Sequence, residues 1–81
     1  MSNPGWDAND GVLRMIAEYR DEHGYSPTTR EIAAALGLAP STVSGHVHRL
    51  ARRGLLAVEP RRPRGVSVTG EGEWRLPGGR A

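Results

Sequence analysis

The sequence predicts a small α+β fold, three helices followed by a two-stranded β-hairpin. Three observations carry this. Apolar residues recur at helical spacing in three stretches between residues 10 and 53, and a Thr-x-x-Glu cap with Gly24, Gly37 and Gly54 punctuates those stretches. Beyond Gly54 the pattern changes to two short aliphatic and β-branched runs. A chain of 81 residues has room for one such domain and no second. Leu, Ile and Val supply only 15 of the 81 residues, but a net charge of +2 keeps the chain out of the disordered class.

Residues 1–9, with Pro4, Gly5 and small polar neighbours, read as a flexible lead-in. The first helix is expected over residues 10–22. Val12, Met15, Ile16 and Tyr19 share one arc at 100° per residue, and His23 and Gly24 end the run. Asp7, Asn9 and Asp10 are all N-cap candidates. Tyr25-Ser26-Pro27-Thr28 is an extended connector. Thr28 and Glu31 then form a capping box that starts a second, two-turn helix with Ile32, Ala33, Ala35 and Leu36 as its buried face. Gly37 stops that helix in the left-handed conformation, Leu38 packs under the corner, and Pro40 opens a third helix.

The third helix, Pro40 to Arg53, carries most of the information. With Val47 pointing at the core, Val43, Leu50 and Ala51 lie beside it. The opposite face is Ser41, Thr42, Gly45, Arg49 and Arg52, flanked by His48 and Arg53, and nothing large and apolar stands there. Gly54 ends the helix. Leu55 to Glu59 and Val66 to Thr69 read as strands joined by Pro60-Arg61-Arg62-Pro63-Arg64-Gly65, a stiff basic tip. The domain therefore spans residues 10–69. Residues 70–81, rich in glycine and without periodicity, read as a flexible tail with Trp74 as its one candidate tether.

The net charge hides a strong asymmetry. Residues 1–40 carry six acids and three arginines, a balance of −3, whereas residues 41–64 carry six arginines and one glutamate, a balance of +5. That places a basic surface on the third helix and hairpin, facing a polyanion. All eleven basic residues are arginine, so Schiff-base lysines, Ser-Lys dyads and a P-loop lysine are excluded from these residues. With no cysteine there is no disulfide framework, thiolate nucleophile or Cys-bound zinc, and a reducing, cytoplasmic compartment is expected. No apolar run approaches the ~18 residues of a membrane span, and no membrane partner is expected. His46 and His48 stand about 200° apart around a helix and cannot chelate one metal. No paired carboxylates line a pocket, so no catalytic residue, metal, cofactor or small-molecule ligand is expected.

Helix, short capped helix, tight turn, third helix and two-stranded ribbon are the order of a winged helix-turn-helix. A helix enters the major groove of B-DNA only with small or polar residues on its outward face near its start, and this one has them. A mid-helix glycine costs about 1 kcal/mol relative to alanine, so Gly45 on that face fits close approach to a partner. The expected partner is double-stranded DNA. Ser41, Thr42, Ser44, Gly45 and His48 are the base-reading candidates, and Thr28, Thr29, Arg30, Arg49 and Arg52 the backbone contacts. Arg61, Arg62 and Arg64 of the wing reach phosphates or a minor groove. A homodimer on adjacent half-sites is one arrangement open to so small a reader, and a monomer another. The rival function is a winged helix used only for protein contact, which would show aromatic or aliphatic anchors on the outward face.

Val12 to Thr69 resembles the N-terminal DNA-binding domain of the LexA repressor family. The resemblance rests on GYSPTTREIAAALG (24–37), HVHRLARRGLL (46–56) and RPRGVSV (62–68). GLAPSTVSGHVHRL (37–50) is similar to the recognition segment of the broader winged helix-turn-helix regulators, MarR-like ones included. The resemblance implies a bacterial transcription regulator of repressor type, in which the positions of Ser41, Thr42, Ser44 and Gly45 face the operator and residues 60–65 form the wing. LexA-like recognition helices usually carry Asn and acidic residues where this chain has Ser-Thr-Val-Ser-Gly (41–45). The self-cleaving half of such repressors uses a Ser-Lys dyad, which residues without lysine do not contain.

Overall fold

A computed structural model describes residues 8–76 of the chain. Its order is α1 (Ala8–His23), α2 (Thr29–Leu36), α3 (Pro40–Arg52), β1 (Leu56–Val58), β2 (Val66–Val68) and α4 (Gly70–Arg75). The strands pair antiparallel, with Leu56 opposite Val68 and Val58 opposite Val66. Among the described residues no helix is long and apolar enough to cross a membrane.

Local signals set the first three helix ends. Gly24 at φ 81°, Gly37 at 68° and Gly54 at 78° take the left-handed conformation that a helix C-terminus favours. After α3, Gly54 N–H donates to Ala51 O and Leu55 N–H to Leu50 O, both at 3.0 Å, which is the Schellman closure. Thr28 caps α2 through the reciprocal pair, Glu31 N–H to Thr28 Oγ1 at 3.1 Å and Thr28 N–H to Glu31 Oε1 at 2.8 Å. Pro40 is the first residue of α3, behind an extended Ala39 that makes no side-chain cap. α1 begins two residues earlier than the sequence reading puts it. Asn9 and Asp10 are thus helical residues and not caps, and Asp7 lies outside the described residues with most of the lead-in.

Val12, Leu13, Ile16, Ala17, Ile32, Ala33, Val43, Leu50, Leu56, Val66 and Leu76 form the buried core. Three assignments to helix faces change. On α1 the buried arc includes Leu13 and Ala17, while Met15 and Tyr19 are only partly covered. The reason is that α1 also packs on β2, and Ser67 and Val68 of β2 with Glu73 of α4 border Ile16 and Ala17. On α2, Ala35 is exposed. On α3 the inward line runs through Val43 and Leu50, and Val47 sits on its flank, half-buried.

The segment read as a loose tail is ordered from 70 to 76. Thr69 caps α4 by accepting Gly72 N–H at 3.1 Å, and its own hydroxyl donates to Gly54 O at 2.6 Å. Gly72 is buried, and a Cβ there would run into the carbonyl of Leu55 and come within 2.8 Å of Val68 Cγ1. Glycine is what lets α4 lie against the hairpin. Leu76, 4% exposed, anchors the segment, whereas Trp74 is 71% exposed and lies outside the buried core. Residues 77–81 lie outside the described residues.

Candidate nucleic-acid interface

With Val43 and Leu50 turned inward, helical spacing puts Ser41, Gly45, His48 and Arg52 on one outward stripe. Ser41, Thr42, Ser44, His48, Arg49 and Arg52 are all exposed, and Gly45 is partly covered. A Cβ added at Gly45 would meet only the Arg49 guanidinium, at 3.8 and 3.9 Å. Internal packing therefore does not require glycine there. Thr42 and Arg49 flank the stripe on one side, where His46 Nδ1 shares a hydrogen bond with Asn9 Oδ1 of α1 at 2.7 Å and stands 3.4 Å from an Arg49 nitrogen. On the other side Ser44 borders a cleft of about 300 Å³ shared with Thr29, Val47, His48, Ala51 and Val58. A second cleft of about 400 Å³ shares Thr29, Val47 and Val58 with it and extends to Arg61, Arg62 and Pro63. One groove thus runs between α3 and the wing.

The wing tip is built from two consecutive turns. Arg62 N–H returns to Glu59 O at 3.2 Å and Gly65 N–H to Arg62 O at 3.0 Å, so Pro60 and Pro63 each occupy the second position, where their fixed φ suits a turn. Gly65 closes the tip because a Cβ there would stand 2.6 Å from Glu59 O and 3.0 Å from Arg62 O. Arg61 and Arg62 project into solvent. Arg62 meets Glu59 at 3.2 Å, but both side chains are more than three-fifths exposed, so the pair is weak and readily exchanged.

Arg64 is placed differently from its two neighbours. Its guanidinium donates to Glu31 Oε1 at 2.7 Å, to Glu31 Oε2 at 3.2 Å and to Ser26 O at 2.9 Å, and it stacks 4.7 Å from the centre of the Tyr25 ring. Glu31 also accepts the Tyr19 hydroxyl at 3.0 Å. The Arg64 hydrogen bond, followed by the Thr28 amide, holds the Glu31 carboxyl at about 2, and the same pairing raises the Arg64 guanidinium. Sequence reasoning finds Glu31 as half of a capping box. Its link to Arg64 spans 33 residues and leaves no local signal. At the start of α2, Thr29 lines the groove, Arg30 is exposed, and the Thr28 hydroxyl is engaged as the cap.

The candidate base-reading residues thus share one exposed surface of α3, and Arg61 and Arg62 stand across a groove from it. Residues 7–65 match the profile of the LexA DNA binding domain. The chain is 49% identical over 63 residues to the LexA repressor of Oenococcus oeni, covering 76% of this chain and 30% of that one. It is 45% identical over 67 residues to the LexA repressor of Bacillus velezensis, covering 82% and 32%. Its fold is similar to a MarR-family transcriptional regulator from Rhodococcus sp. RHA1, with TM-score 0.63 and 30% identity over 80% of this chain and 46% of that chain. The chain spans about a third of the length of the curated repressors it matches. A match over residues 7–65, at this identity to LexA repressors and with helix, turn, helix and wing in place, means that the chain belongs to the LexA DNA-binding domain family.

Proposed function

We propose that this domain binds double-stranded DNA in a sequence-specific manner as the reading head of a bacterial transcription regulator. In this reading α3 enters the major groove, with Ser41, Thr42, Ser44, Gly45 and His48 at base edges. Thr29, Arg30, Arg49 and Arg52 contact phosphates, and Arg61 and Arg62 carry the wing to the flanking backbone or minor groove. A repressor acting in the cytoplasm, two copies on adjacent half-sites, is the form of action that the family and the size of the surface favour.

The observation that carries this is Gly45. It lies on the outward face of α3, where a Cβ would meet only the end of the Arg49 side chain at ordinary contact distance, so its cost to helix stability has no return inside the chain. Close approach to a groove floor supplies one. The rival reading, a module for protein contact alone, asks for apolar anchors on this face. Tyr25, Val58 and Trp74 are the large apolar residues exposed among those described, and none lies on α3.

Fluorescence anisotropy against a labelled mixed-sequence duplex tests the reading. Affinity should fall steeply between low and physiological salt, because each arginine–phosphate contact releases counterions. Affinity indifferent to salt overturns it. Selection of bound fragments from random duplex then reports the operator, and a palindrome would report two copies.

A further inference from the structure

The hairpin that carries the wing is short: two three-residue strands, with its tip beyond both. A two-stranded ribbon of this size does not hold its own direction in water. β1 and β2 are held at their roots by α3 and α1. Arg64 makes the bond from the wing loop to the helix-turn-helix. It leaves the tip just before β2, between Pro63 and Gly65, and reaches Glu31 at the third position of α2. Both terminal nitrogens of the guanidinium are engaged, Nη1 by the carboxylate and the Ser26 carbonyl and Nη2 by the carboxylate, and one of its faces lies on Tyr25. Tyr25 in turn sits edge-on to Tyr19, ring centres 5.9 Å apart, and Tyr19 hydrogen-bonds the same carboxylate. A planar fork seated on a carboxylate and an aromatic ring has one orientation, which a flexible ammonium would not reproduce.

We propose that Arg64 is a positioning residue that sets the angle of the wing, anchored by Glu31 and Tyr25, and does not itself contact DNA. Glu31 then strengthens DNA binding although its charge repels phosphate. The inference rests on the DNA-binding reading above. It assigns opposite signs to effects that simple electrostatics would predict. Removing an acid beside a phosphate-facing surface raises affinity unless the acid holds something in place. Replacing a phosphate-contacting arginine by lysine keeps the charge and most of the binding, whereas a fork that is a strut loses its function in lysine.

The test uses Glu31→Gln, Arg64→Lys and Arg64→Ala. Glutamine retains the chemistry of the capping box, so α2 keeps its start, and circular dichroism checks the fold. In the free protein, ¹⁵N relaxation at residues 61, 62, 64 and 65 should report a looser tip in all three variants than in wild type. A tip as ordered in Glu31→Gln and Arg64→Lys as in wild type overturns the strut, whatever the protein binds. Against a labelled mixed-sequence duplex, Glu31→Gln should bind roughly threefold or more weakly, and Arg64→Lys about as weakly as Arg64→Ala. Tighter binding by Glu31→Gln, or wild-type affinity in Arg64→Lys, overturns the proposal and makes Arg64 a phosphate contact. A wild-type protein that binds no duplex would overturn the DNA-binding reading itself, a result separable from the relaxation measurement.

Discussion

Arg75 donates its Nε to Asp10 Oδ1 at 3.0 Å, joining α4 to the first turn of α1 across 65 residues of chain. The Asp10 side chain is 9% exposed and that of Arg75 42%, so a buried carboxylate is met by an arginine at the surface. Together with Leu76 it makes the segment after β2 part of the folded domain. The two glycines of α4 differ in what surrounds them. Gly72→Ala drives a methyl into the Leu55 carbonyl and should destabilise the domain by about 2 kcal/mol. Gly70→Ala meets nothing within 4 Å and should be neutral or gain up to ~1 kcal/mol. Thermal melts of the pair check this, and equal midpoints would show that α4 does not pack as described.

Leu76→Ala should cost about 2 to 3 kcal/mol, as for a buried leucine whose site can partly collapse. Trp74→Ala, at an exposed position, should cost within about 0.5 kcal/mol. Urea unfolding of the two variants ranks them. A larger loss from Trp74 would move the anchor of the segment from leucine to tryptophan.

Glu31 gives the domain a defined acid sensitivity. Its folded value of about 2 lies below the ordinary 4.5 because Arg64 and the Thr28 amide both favour the carboxylate. A group depressed in this way stabilises the fold fully above its unfolded value and loses that contribution as pH falls through the folded one. The window is therefore from about pH 4.5 down to about pH 2. Glu31→Gln should melt below wild type at pH 7, and the gap should close within that window. A gap that stays constant down to pH 2 would mean that the carboxylate charge contributes nothing to folding.

Gly45 separates stability from binding. Gly45→Ala should raise the melting temperature, by the equivalent of about 0.5 to 1 kcal/mol, because the new methyl has only the mobile Arg49 end beside it. Gly45→Glu should fold and lose duplex binding, since it sets a long anionic side chain against the groove. Anisotropy and melting measured on the same samples decide this. Normal binding by the glutamate variant would remove α3 as the reader.

Arg62→Ala should weaken binding to all duplexes alike and reduce the slope of log affinity against log salt by about 1, with no cost to the fold. The Glu59 pair that it breaks is exposed on both sides and contributes little. A sequence-dependent loss would instead assign Arg62 to base reading.

Much of this architecture is legible in the residues because its signals are local. The Thr28–Glu31 box, the left-handed glycines and Pro40 at the head of α3 each act within a few residues, and each appears at the expected position. The outward stripe of α3 follows from the same locality, since Ser41, Gly45, His48 and Arg52 fall on one line by helical geometry alone. What misleads is anything that depends on a neighbour distant in sequence. Ala17 looks peripheral until β2 and α4 border it, and the glycine-rich run at 70–72 looks structureless until Leu55 and Val68 leave no room for a side chain at Gly72.

The amino-acid sequence by itself determined the order of the first three helices and the hairpin, where those helices stop, where α2 and α3 start, and the concentration of arginine on α3 and the wing. Caps, turns and periodicity are encoded over spans shorter than ten residues, and no tertiary contact is needed to write them. Only the tertiary structure decided which arginines of the wing face outward. Arg61, Arg62 and Arg64 are alike in type and stand together on one loop, yet the fold brings Glu31 and Tyr25 to the third and leaves the first two to solvent. Charge is a property of the residue, whereas the partner that engages it is set by the path of the chain between them.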